Sequence, residues 1–193
     1  ASMKSQTHHI GFVGGMEVPL IKRFEIAYVA GAKYINPKTD VTIGYVGVTI
    51  DAWNNPTKAQ EIALSQYEHG ADVVFHAAGG SGFGVFNAVE KVNADQKLEN
   101  KKFAIGCDTN QNGIKPGLIL TSMVKGIEKS TFDSIQDIAN DKFTTGVKEY
   151  SLANGGMDWA YDKNNETLFT KDELKEINRI KTEIISGKIK KFP

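Results

Sequence analysis

The sequence predicts an α/β fold, a doubly wound parallel sheet, and three observations carry that prediction. Short apolar, β-branched runs alternate with amphipathic helical stretches at regular intervals from Ile10 to about Val124. Helix-starting residues and glycines punctuate the boundaries, as at Asn55-Pro56 and Gly70. The run Ala71–Phe86 then joins a buried strand, four glycines within six positions, and the first turn of a helix.

Taken in order, Ile10-Gly11-Phe12-Val13 enters a buried strand that ends at Gly14-Gly15. Pro19 opens a helix with Leu20, Ile21, Phe24, Ala27, Tyr28 and Gly31 on one face. Residues Val41 to Ile50 alternate and read as a strand. Asn55 caps a second helix, Pro56 takes its first position and Gly70 closes it. The central strand follows, then a helix from about Gly82 to Asn93 and a strand Phe103–Cys107. Leu118–Val124 is a further strand, and Ile127, Phe132, Ile135, Ile138 and Ala139 mark the apolar side of a helix. Residues 146–162 read as extended with a break at Gly155-Gly156. Thr170-Lys171-Asp172-Glu173 is a capping box for a last helix bearing Leu174, Ile177, Ile180, Ile184 and Ile185.

The composition narrows the classes. The 193 residues suffice for one substantial α/β domain, with 40% hydrophobic and 24% charged residues as in ordinary globular chains. Lys plus Arg and Asp plus Glu both number 23, so no global field recruits nucleic acid. The one basic cluster, Lys188, Lys190 and Lys191, reads as a solvated tail. A single cysteine, Cys107, excludes an internal disulfide and forms no zinc site alone. Neighbouring His8 and His9 do not share a helix face, which argues against a metal site. No apolar run reaches the length of a membrane span, so any membrane attachment is expected outside this sequence.

The glycine turn sits where the carboxyl edge of an open α/β sheet binds ligands, and helix-start N–H groups favour an accepting ligand atom. A turn that merely closes a βα unit is the equal alternative at this point. Three catalytic or nucleotide motifs fail here. Gly84-Val85-Phe86 lacks the Lys-Ser/Thr of a phosphate-gripping loop, Gly80–Val85 misspaces the dinucleotide fingerprint, and the frame around Ser81 ends in Phe83 rather than glycine. The sequence therefore offers no catalytic residue, no metal ligand set and no cofactor motif.

Asp108 directly follows a strand, so its carboxylate shares the sheet edge with the glycine turn. It is placed there either to accept from ligand hydroxyls, of which ribose offers two neighbours, or to cap a turn. Lys125 ends the next strand and either pairs with Asp108, meets a ligand oxygen or is solvated. Phe75 and Phe83 bracket the glycine turn as candidates for stacking on an aromatic ligand, or for core packing. His76 lacks a neighbouring carboxylate or serine and reads as a buried, hydrogen-bonded histidine. Met16 and Glu17 occupy the corresponding edge of the first strand.

Four blocks, Ile10–Glu25, the Gly70–Gly82 run, Ala104–Asp108 and Leu120–Lys125, resemble the basic membrane protein family, the purine nucleoside receptors of bacterial ABC importers. The resemblance spans nearly the whole chain. It implies the second lobe of a type I periplasmic-binding-protein fold, in which two α/β lobes joined by three crossovers close on a nucleoside. It further implies that Asp108 takes the ribose hydroxyls with Lys125 in support and that Phe75 stacks on the base. Gly79 and Gly80 would approach through their backbone, and Met16 would line the cleft. Implied partners are a purine nucleoside and an ABC permease, with an extracytoplasmic, lipid-anchored location set by a region absent from this sequence.

The same resemblance divides the chain into a ligand-binding lobe, 1–118 and 142–193, and a crossover strand and helix, 119–141, that would dock on a first lobe not contained here. Without that lobe the expectation is self-association. A nucleoside hydrolase or transferase using Asp108, or the sensing lobe of a regulator, stands as the alternative.

Overall fold

The computed structural model describes residues 1–94 and 101–190, so Lys191 of the basic tail lies outside the described residues. The chain folds as β1 (His9–Met16), α1 (Pro19–Ile35), β2 (Asp40–Gly47), α2 (Pro56–Glu68), β3 (Val73–Ala77) and α3 (Gly82–Asn93). It continues through β4 (Phe103–Asp108), β5 (Ile119–Lys125), α4 (Ile127–Ala139), β6 (Met157–Trp159) and α5 (Lys171–Ile185). The sheet order is β2-β1-β3-β4-β5-β6, with β1 to β5 parallel. This is the α/β, doubly wound sheet that the alternation of runs predicts. β6 alone is antiparallel, pairing Met123 with Trp159 and Lys125 with Met157.

Strand alternation sorts the core onto two faces. Val74 and Ala78 join Ala59, Ala63, Val85, Phe86 and Val89 under α2 and α3. Val73, Phe75 and Ala77 join Phe12, Ile21, Ile105 and Leu120 on the side of α1 and α5. The α2–α3 contact is close because Gly84 has no side chain: a Cβ there would fall 1.9 Å from the Pro56 carbonyl oxygen.

Two local readings change. The strand expected over Val41–Ile50 stops at Gly47, and Ile50–Trp53 forms a single 3₁₀ turn with Val48 and Ile50 exposed. β-branched residues favour extended backbone, but past the rim of the sheet no neighbouring strand extends the pairing. Leu20, assigned to the buried face of α1, is exposed, while the adjacent Ile21 is buried. The capping signals hold: Asn55 accepts from the Lys58 amide, and Thr170 and Glu173 bond reciprocally at the start of α5.

α4 differs from the other helices. None of its residues is buried, and Ile127, Phe132, Ile135 and Ile138 are 61%, 62%, 62% and 61% exposed. β5, by contrast, is an integral strand held between β4 and β6.

Candidate functional site

All five parallel strands end on one edge, which brings together residues far apart in sequence. β1 contributes Met16, β3 leads into Gly79 and Gly80, β4 ends at Asp108 and β5 at Lys125.

Asp108 has a left-handed backbone, φ 71°, at the last position of β4. Its Oδ1 pairs with Lys125 Nζ at 2.7 Å, and both side chains stay over a third exposed. An ion pair so open to water contributes less than about 1 kcal/mol, so Lys125 orients the carboxylate more than it stabilises the fold. The ammonium also stands 5.3 Å from the centre of the Phe24 ring.

Gly79 and Gly80 are exposed, with Gly79 at φ 56°. Ser81 anchors the turn to the segment after β2, donating to the Ala52 carbonyl at 2.7 Å and accepting from the Asn55 amide at 2.7 Å. The Trp53 carbonyl lies 3.2 Å from where a Cβ of Gly80 would stand, so the turn is also closely packed on one side. The turn is thus exposed on one flank and tightly closed on the other.

Phe75 is 6% exposed, its ring packed at 5.7 Å from Phe12 and 5.1 Å from Tyr28. It lies on the sheet face under α1, where it forms part of the wall of an apolar hollow of about 570 Å³ with Tyr28, Met123, Trp159, Ile177 and Ile180. Phe83 is exposed and meets Phe86 edge-on. Met16 is half-buried against the core beneath α2 and α3. The hollow and the Asp108 rim are different places, and the charged and glycine groups belong to the rim.

Trp53 is an aromatic residue at the rim that sequence reasoning missed. Its ring fills the space beside Gly15, where a Cβ would come within 2.4 Å of it, and its backbone abuts the glycine turn. Reading β2 through to Ile50 hid the turn that places it. Gln111 was also passed over, because its partners lie on separate strands.

His76 is 1% exposed, as a buried, hydrogen-bonded histidine should be, with Nε2 3.0 Å from Gln111 Oε1. Burial pushes its pKa down to about 4. Burial likewise pushes the Cys107 thiol up to about 12, so it is no thiolate nucleophile near neutral pH. Among the described residues, no group of three or more His, Cys, Asp or Glu could hold a metal ion.

The α/β lobe thus presents a carboxylate, a lysine and a glycine turn on one rim. The crystal structure of an ABC transporter solute-binding protein from Aeropyrum pernix K1 superposes with a TM-score of 0.81, covering 94% of this chain and 56% of that one at 24% identity. One from Conexibacter woesei superposes at 0.73 with 19% identity, covering 97% and 58%. These likenesses establish the periplasmic-binding-protein fold.

The profile of the PnrA-like ABC transporter substrate-binding proteins (Bmp) matches residues 1–191, and the chain belongs to that family. It is 36% identical to the ABC transporter nucleoside-binding protein BmpA of Lactococcus lactis, covering 98% of this chain and 54% of that protein. It is 32% identical to the CD4+ T-cell-stimulating antigen of Listeria monocytogenes at the same two coverages. The chain thus spans about half the length of the curated relatives it matches. The family is one of extracytoplasmic, membrane-associated substrate-binding proteins rather than enzymes. Among the described residues, no helix is long and apolar enough to cross a membrane.

Proposed function

We propose that this chain is the second lobe of a purine nucleoside receptor serving an ABC importer, and that the nucleoside is held at the rim described above. The observation that carries the reading is Asp108: a half-exposed carboxylate in a left-handed backbone, aimed by Lys125, beside the exposed glycine turn. Its two oxygens suit the two neighbouring hydroxyls of a ribose. Gly79 and Gly80 approach through their backbone and Met16 lines the β1 side. Phe75, the stacking residue the resemblance implies, lies in the apolar hollow, and Trp53 is the better-placed stacking face because it stands at the rim. The nucleoside-binding name of the Lactococcus relative supports the ligand class. Closure of a two-lobed receptor then presents the ligand to a permease, from a lipid-anchored position outside the cytoplasm.

Calorimetry with adenosine, guanosine and inosine tests this. Heat is expected with at least one nucleoside, and Asp108→Asn should weaken it by roughly tenfold or more, the scale of a hydrogen bond to a charged acceptor. No nucleoside heat, or heat with a sugar or an amino acid instead, overturns the ligand assignment.

The division of the chain forms part of the same proposal. The sequence-based boundary at 119 moves, because the sheet holds β5 between β4 and β6: residues 1–125 and 142–193 form the lobe, and 126–141 cross toward a first lobe against which α4 packs. The apolar stripe of α4 supports this, since fully burying each such side chain is worth about 1.5–3 kcal/mol. Lacking that cover, the chain should self-associate through α4 at micromolar concentration. Light scattering should show a mass above 21.1 kDa that falls to the monomer value in a Phe132→Lys, Ile135→Glu variant. A wild-type chain that stays monomeric at every concentration removes the argument.

A further inference from the structure

A chain of partly buried polar contacts joins the glycine turn to the Asp108 segment. The Cys107 amide donates to Gln111 Oε1 at 2.8 Å, and a backbone N–H can only donate, so the Gln111 oxygen must face it. His76 Nε2 is 3.0 Å from the same oxygen and must therefore carry the proton. The tautomer follows: Nε2–H donates, and Nδ1 is left bare.

The strut is braced at both ends. The Gln111 amide donates to Ser122 Oγ at 3.0 Å, and Ser122 donates to Asn112 Oδ1 at 2.9 Å, with Ser122 and Asn112 fully buried. At the other end, a Cβ on Gly82 would come within 2.1 Å of the His76 ring, so the first turn of α3 rests directly on the imidazole. Gly106 is open for the same reason: a Cβ there would lie 2.7 Å from Gln111 Oε1. Two glycines are thus vacated to let one histidine and one glutamine span from β3 to β4.

We propose that His76 and Gln111 are positioning residues, a neutral strut that fixes the distance between the glycine turn and the Asp108 carboxylate and so sets the affinity of the rim for its ligand. The proposal rests on the nucleoside-site reading above. Gln111 acts through Cys107, whose amide it holds one residue before Asp108. His76 acts through Gly82, on which α3 and the turn are seated.

The test compares wild type, Gln111→Met, which keeps the volume without an acceptor, and Gln111→Glu, which keeps the acceptor. Each is titrated with adenosine, guanosine and inosine by calorimetry, and the ¹⁵N imidazole signals of His76 and the amide signals of Gly79, Gly80 and Asp108 are recorded. Gln111→Met should weaken binding by roughly tenfold, mix the His76 tautomers and shift all three amides together. Gln111→Glu should return affinity to within about threefold of wild type, since the shared acceptor is restored.

A folded Gln111→Met protein that binds like wild type, or altered tautomers with unmoved Gly79 and Gly80 signals, overturns the strut. If wild type binds no nucleoside, the nucleoside reading fails on its own. The amide shifts in Gln111→Met then decide the strut separately. Should Gln111→Met not fold, Gln111→Asn shortens the arm, and the same joint displacement of the two rim segments is required.

Discussion

Gly84→Ala is expected to destabilise this fold by about 3 kcal/mol, a loss of roughly 6–12 °C in thermal midpoint for a chain of this size. The added methyl would sit 1.9 Å from the Pro56 carbonyl oxygen and 2.7 Å from the Gln60 amide nitrogen. Both are backbone atoms of α2, so no side chain can swing aside, and α2 and α3 must separate along their shared seam. Pro56 also opens α2, whose capped start is tied through Asn55 to Ser81, so the shift propagates to the glycine turn. Gly31→Ala in α1 supplies the control. Nothing lies within 4 Å of its Cβ position, and it should stabilise by up to about 1 kcal/mol through helix propensity. Chemical denaturation of both variants checks the pair, and equal midpoints would show that the α2–α3 seam yields.

Acidification should cost the wild-type chain about 3 kcal/mol through His76 alone. Unfolded, the imidazole takes a proton near pH 6.5; folded, burial holds that event down to about 4. Between those values the unfolded chain binds more protons, so stability falls as pH drops from 6.5 toward 4 and is insensitive to His76 above about 7. The cause is burial: the ring is covered by Gly82 and edged by Phe86 at 5.1 Å, and the Gln111 acceptor and the Asp108 charge, which favour the protonated ring, offset that only in part. In His76→Gln this component disappears. Wild type and variant, unfolded with urea at pH 7 and pH 4, should differ in their pH-dependent loss by about that amount. Parallel curves would mean that His76 titrates as it does in water.

The sequence carries most of the sheet because each parallel strand is short, apolar and followed by a helix with its own start signal. Asn55, Thr170 and the Gly70 break act locally, so they are legible without tertiary knowledge. Asp108 and Lys125 could be placed on one edge because parallel strands end together, and the structure sets them 2.7 Å apart. Three-residue β6 has too little pattern to announce itself and exists because β5 offers a free edge. Trp53 went unnoticed because its place depends on where β2 stops, which the β-branched residues at Val48 and Ile50 obscure, and the burial of Phe75 follows from the helix packed over its face of β3. The His76–Gln111 contact spans 35 residues and joins β3 to the segment after β4, beyond any local signal.

The left-handed backbone of Asp108 marks a place where two selective demands diverge. Aspartate tolerates that conformation better than most residues, yet glycine would adopt it more freely and without about 1 kcal/mol of local strain. A search for thermostable variants of this lobe, scored on melting alone, would therefore drift toward glycine at position 108 and erase the carboxylate that ends β4. Engineering for robustness and engineering for recognition meet there as opposing choices at a single residue.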